Sequence, residues 1–212
     1  MPVQSLRARI GNAAMHAIIV SIAVALAACA MRPAYPPAPG QAPVADYDYK
    51  IGPLDTVNII VWRNPDLSMT VPVRPDGKIS TPLVQDLVAL DKTPGELSRE
   101  IEAALSKYIR EPVVTVVLTT FTGPANEQIR VIGEAAKPQI LAFRKKMTVL
   151  DVMIAVGGLT DFADGNRASI FRVSEGGKLY SVRLRDLVRN GDITANVEMR
   201  PGDILIIPQG YF

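Results

Sequence analysis

An apolar run that stops at the only cysteine does most to limit what this chain can fold into. Residues Ala17 to Ala28 (AIIVSIAVALAA) are interrupted only by Ser21, come after the cations Arg7 and Arg9, and lead directly into Cys29. Such a run falls well short of the about 20 apolar residues that cross a bilayer as a helix. Cations before a short apolar core are the layout of a secretory signal. Extending the run back to Ile10 would place Asn12 and His16 in the bilayer, which is costly. Residues 1–28 are therefore read as a leader that is removed, and the fold must be built from the chain beyond residue 28.

The stretch Leu26-Ala27-Ala28-Cys29 resembles the bacterial lipobox. That resemblance implies that Cys29 is lipidated on its sulfur and becomes the first residue of the mature chain. Several acyl chains on one cysteine give stable attachment where a single chain holds only marginally. Ala30, where an aspartate would retain a lipoprotein at the inner membrane, implies sorting to the outer membrane. From Met31 to Val44 the chain reads MRPAYPPAPGQAPV. Its five prolines oppose helix and sheet pairing. Residues 29–45 are thus expected to be a lipidated cysteine followed by an extended tether.

Composition closes off most chemistries. Cys29 and His16 are the only cysteine and histidine, and both lie in or beside the leader. A body without thiol or imidazole cannot build a disulfide, a Ser-His-Asp triad, a Cys-His dyad or a His-ligated metal site. No catalytic residue, cofactor or metal site is expected. After residue 28 the charges cancel, with 23 − 2 = 21 basic residues against 21 acidic ones. A nucleic-acid partner loses its electrostatic basis.

The body reads as α+β, in two small modules expected over residues 46–121 and 122–212. In the first, Val57, Ile59 and Val61 alternate with Thr56, Asn58 and Ile60, which is the period of a half-buried strand. A second strand around Leu67–Val73 contains Pro72 and belongs at an edge. Arg74-Pro75-Asp76-Gly77 is a tight turn into a strand from Lys78. Thr93-Pro94-Gly95-Glu96 is a capping box with proline at the first helical position. Leu97, Ile101, Ala104, Leu105 and Tyr108 come next at helical spacing, and Pro112 should end the helix near Arg110. Val113–Leu118 reads as a buried strand.

The segments RPDGKISTPLV, TPGELSREIEAALSKYI and EPVVTVVL together resemble the signature domain of the outer-membrane polysaccharide export family. Gln85 and Asp91 stand where that family often has glycine, and Asp tolerates left-handed backbone better than Gln does.

In the second module, Gln128–Ile132 alternates as a strand, and Ile140, Ala142 and Phe143 suggest a short returning one. Thr148 with Asp151 caps a helix that Gly157-Gly158 ends. Two alternating segments flank Glu175-Gly176-Gly177 as a hairpin, and Arg200-Pro201-Gly202-Asp203 turns into a final buried strand, Ile204–Ile207. The segments IRVIGEAAKP, MTVLDVMIAVGGLT and RPGDILIIP resemble the soluble-ligand-binding β-grasp (SLBB) domain. Gln139 replaces the glycine usual after Lys-Pro.

Taken together, the resemblances imply a lipoprotein of the polysaccharide export family, lipid-anchored at the outer membrane with its body in the periplasm. They imply a ring-like homo-oligomer around a passage for long-chain polysaccharide, docked to an inner-membrane co-polymerase or polymerase. Longer members add a membrane-crossing amphipathic helix. This sequence reaches Phe212 four residues after Pro208, so an outer-membrane β-barrel partner is expected to supply the pore. The alternative is a monomeric glycan-binding lipoprotein receptor, which oligomeric state would distinguish.

Other motifs read better as structure. Asp161–Asn166 places Ala163 where a calcium loop needs an oxygen ligand, so a plain turn is expected. Arg144-Lys145-Lys146 could meet acidic glycan or lipid headgroups but reads as a solvated loop. Trp62 and Tyr108 could stack on sugars but are expected in the core. Neither Asp161 with Asp164 nor Glu100 with Glu102 makes a convincing glycosidase pair.

Overall fold

Each module is organised by a strand that leaves an x-Pro-x-Asp turn closed by a buried aspartate. The computed structural model describes residues 35–40 and 47–210. In the first module β1 (Thr56–Val61) leaves Gly52-Pro53-Leu54-Asp55 and turns Val57, Ile59 and Val61 inward. It is the centre of an antiparallel sheet between β2 (Met69–Pro72) and β5 (Val114–Thr120). Pro72 does lie on an edge strand, where its missing N–H costs no ladder bond. β5 alternates between buried and exposed residues, so it is half-buried and not the fully buried strand its run of valines suggests.

The strand from Lys78 continues into a hairpin of β3 (Lys78–Thr81) and β4 (Val84–Val88). Left-handed residues here are Leu83 and Asp86, with φ of 68° and 53°, while Gln85 takes ordinary backbone. Asp91 does sit at a glycine-like φ of 61°.

Helix α1 (Pro94–Leu105) opens on the expected reciprocal capping box of Thr93 and Glu96. It buries Leu97, Ile101 and Leu105 against the sheet, each contributing about 1.5–3 kcal/mol. The helix ends at Leu105, five residues before the expected stop. Glu102 accepts a bond from the Val114 amide at 2.8 Å, and the Ser98 hydroxyl donates to the Val114 carbonyl. The chain must leave the helix early enough to bring Val114 back beside its middle turns.

The second module is a five-stranded mixed sheet. β6 (Ile129–Gly133) and β7 (Ile140–Leu141) form one hairpin, β8 (Ala168–Arg172) and β9 (Lys178–Val182) the other. β10 (Ile204–Ile207) lies between them, parallel to β6 and antiparallel to β8. Helix α2 (Val149–Ala155) is capped by Thr148 and Asp151, and Gly157 and Gly158 come after it at φ of 78° and 89°. The Thr148 amide and hydroxyl hold the Asp151 carboxyl below the usual carboxylate range. Helix α3 (Leu184–Arg189) has no side-chain cap, so no local signal in the sequence marks its start. The chain is α+β, two modules in tandem, each with its own apolar core.

Part of the proline-rich segment belongs to the second core. Pro37 forms a parallel bridge with Ser181 on β9, and the Ser181 amide donates to the Pro36 carbonyl at 2.9 Å. Ala38 is buried there. The extended backbone expected of a proline-rich segment is what allows it to cover the exposed edge of β9. A charge at position 38 cannot be buried without a partner. Ala38→Asp is expected to release this segment and speed hydrogen exchange of the Ser181 amide by roughly tenfold or more, while Ile170 in β8 stays protected.

The two x-Pro-x-Asp turns share one geometry. The Asp55 amide donates to the Gly52 carbonyl at 3.3 Å, and the Asp203 amide to the Arg200 carbonyl at 3.1 Å. Each carboxylate accepts the amide three residues back, at 2.9 Å in both turns. The third residue is left-handed in each, Leu54 at φ 69° and Gly202 at φ 80°. Only the second turn uses glycine there. Leu54 is largely exposed and has no packing role to offset its strain. Leu54→Gly is expected to stabilise by about 0.5–1 kcal/mol, read as a higher midpoint in urea.

Candidate functional site

Asp55 connects the first turn to the chain segment that enters the second module. It is fully buried, and all its acceptor capacity is directed at backbone and one phenol. One carboxylate oxygen accepts the amides of Thr122 and Gly123 at 2.6 and 3.1 Å. The other accepts the Gly52 amide at 2.9 Å and the Tyr49 hydroxyl at 2.8 Å. Gly52 and Gly123 are so close that a Cβ on Gly52 would overlap the Gly123 carbonyl. This close packing sets the path of residues 121–124 and the position of Tyr49.

Tyr49 meets Phe121 edge to face at 5.5 Å, and Tyr47 meets Phe143 in the same way at 5.0 Å. These two aromatic pairs line a cavity of about 540 Å³, with Met147 and Arg144 also on its wall. Both phenol hydroxyls point away into carboxylates, Tyr47 to Glu127 at 2.9 Å and Tyr49 to Asp55. Burial first, and then the adjacent carboxylates, raise both phenols above their ordinary range. They stay neutral and turn ring carbons toward the cavity.

The basic triplet reaches the cavity through a tight turn. The Met147 amide donates to the Arg144 carbonyl at 2.9 Å, and Lys146 adopts a left-handed φ of 63°. All three cations are exposed, as expected of a loop before α2. In addition, Arg144 and Lys145 line the cavity.

The expectation for Trp62 and Tyr108 is corrected. They are 65% and 59% exposed. Trp62 comes directly after Val61 at the end of β1, and strand parity puts it on the outer face with Ile60. Tyr108 lies beyond the last turn of α1, where helical spacing no longer applies. Trp62, Ile60, Val113 and Val117 make this outer sheet face partly apolar.

Other candidates serve the fold. Asp161 and Asp164 pair with Arg189 and Arg167 in a turn region. Glu100 pairs with Lys92 and Glu102 holds Val114, on different sides of α1. Gln139 takes no left-handed backbone, and its amide donates to the Ala155 carbonyl at 2.8 Å. Among the described residues no cluster of His, Cys, Asp or Glu could hold a metal ion. Cys29 lies outside the described residues.

Sequence reasoning missed Asp55, Tyr47, Tyr49, Phe121 and Phe143. The one signal for Asp55 was the echo of Gly-Pro-Leu-Asp in Arg-Pro-Gly-Asp. Nothing local marks the aromatics, because they converge from distant segments.

Comparison with known proteins places this geometry in context. A family model described as "Polysaccharide biosynthesis/export protein" matches residues 43–119, and an SLBB domain model matches residues 128–183. The EPS I polysaccharide export outer membrane protein EpsA of Ralstonia nicotianae is 25% identical over 185 residues, covering 76% of this chain and 47% of the relative. The capsule polysaccharide export outer membrane protein CtrA of Neisseria meningitidis serogroup A is 31% identical over 129 residues, covering 61% of this chain and 31% of the relative. The chain thus spans less than half the length of either relative.

Proposed function

We infer from a chain that carries a polysaccharide biosynthesis/export domain followed by an SLBB domain that it is a periplasmic component of an exopolysaccharide or capsule export system. The observation that carries this reading is the pairing of these two domains in a chain similar to export proteins of two bacteria. The protein makes and breaks no bond. It contributes a surface along which polymer passes.

The reading extends to an outer-membrane anchor through lipid on Cys29, removal of residues 1–28, and assembly as a ring-like homo-oligomer. Its partners are long-chain polysaccharide, an inner-membrane co-polymerase or polymerase, and a β-barrel protein that supplies the outer-membrane pore. Among the described residues no helix is long and apolar enough to cross a membrane. The exposed apolar face around Trp62 and Ile60 gives one module a surface on which a neighbouring subunit could pack.

The test compares extracellular with cell-retained polysaccharide in a strain lacking this protein, complemented with wild type or Cys29→Ala. Extracellular polymer should fall on deletion, return with wild type and return poorly with the anchor variant. Unchanged extracellular polymer would sink the export reading. Size by light scattering then separates a ring from a monomeric receptor.

A further inference from the structure

We propose that the aromatic cavity beside the Arg144 turn is a subsite for one carboxylated sugar unit of the exported polymer, such as a uronic acid. The proposal rests on the export reading for the source of the sugar. Its chemistry comes from the cavity.

Three features define the ligand. The walls are ring carbon, because Tyr47 and Tyr49 spend their hydroxyls on Glu127 and Asp55. Such walls suit the C–H face of a pyranose, which packs on aromatic rings as other apolar surfaces do. The contact with the ligand's carboxylate falls to the cation Arg144 on the cavity wall. A guanidinium presents paired N–H donors that match a carboxylate. At about 540 Å³ the cavity falls within the usual range for small-ligand sites, roughly 300–1,000 Å³.

Phe121 is 59% exposed at the end of the first module, and Arg144 stands on an exposed turn of the second. The two modules therefore each contribute one side of the grip. The rigid part is the Asp55 contact with Thr122 and Gly123, which sets Phe121 in place. A ligand held by one ring stack and one charge contact binds weakly and releases readily, as passage of a polymer requires.

The test titrates purified protein with trigalacturonate and with a neutral galactose trisaccharide, followed by amide NMR shifts. The acidic trimer should bind roughly tenfold more tightly, the size of one charge-assisted contact. Its affinity should weaken with salt. Arg144→Gln should erase the preference for the acidic trimer, and Phe121→Ala should weaken binding of both sugars. Both substitutions are at exposed positions, so folding is retained and is checked by the same spectra.

Equal affinity for both sugars, or an acidic preference that survives Arg144→Gln, would overturn the assignment. So would tighter binding of a fatty acid than of either sugar, which would make the cavity an acyl site. The deletion strain separates this failure from that of the export reading. If export needs the protein and trigalacturonate does not bind, the subsite alone falls. If trigalacturonate binds as described and export is unaffected by deletion, the export reading falls and the cavity is a receptor site.

Discussion

Asp55→Ala is expected to destabilise the protein by about 3–5 kcal/mol, because it leaves four directed donors without an acceptor. Two of them, the amides of Gly52 and Gly123, belong to residues buried where water cannot substitute. Thr122 and the Tyr49 hydroxyl are partly buried and lose less. Asparagine is the sharper control. It keeps the shape but turns one oxygen into a donor, which then faces either two amides or an amide and a phenol. Asp55→Asn should therefore cost about 2–3 kcal/mol. Urea unfolding gives the totals. Hydrogen exchange at Thr122 and Gly123 gives the location. A loss below about 1 kcal/mol with those amides still protected would show that the contact does not hold the connector.

A similar loss, about 3–5 kcal/mol, is expected for Asp203→Ala, but for a different reason. Asp203 is fully buried against Arg172, itself fully buried on β8. Arg172 lies 5.3 Å from the Tyr180 ring centre and donates to the Glu198 carbonyl at 3.1 Å. Glu175 joins from the hairpin and binds Arg200 and Tyr180. Removing Asp203 leaves a buried guanidinium with no carboxylate hydrogen-bonded to it, and only the longer ion pair to Glu175 at 3.8 Å. The double replacement Arg172→Met with Asp203→Leu removes the charge as well as its partner. It should recover to within about 1–2 kcal/mol of wild type, since hydrophobic substitutes for buried pairs are often tolerated. The remaining deficit is the Arg200 amide, which loses its acceptor. A double variant as unstable as Asp203→Ala would mean that the turn, and not the ion pair, carries the effect.

The contrast between these two aspartates shows how one local device is put to two uses. Both close the same turn before the strand at the centre of their sheet. In the first module the spare acceptor capacity fastens the connector between modules. In the second it neutralises an arginine inside the sheet.

What the sequence determined by itself is what depends on near neighbours. Strand alternation in β1 and β10, the capping boxes of Thr93 and Thr148, the edge position of β2 and the glycine pair after α2 all arise from residues a few positions apart. Even the exposure of Trp62 was present in the parity of Val57, Ile59 and Val61, although its size argued for burial. The end of α1 was not legible, because it depends on where Val114 must return. The cavity was not legible either. Its walls come from residues 47, 49, 121, 141–145, 147 and 155, and Asp55 reaches the amides of Thr122 and Gly123 across 67 and 68 positions of chain. Contacts over that distance leave no period in the sequence, so only the packing of the two modules could bring these residues together.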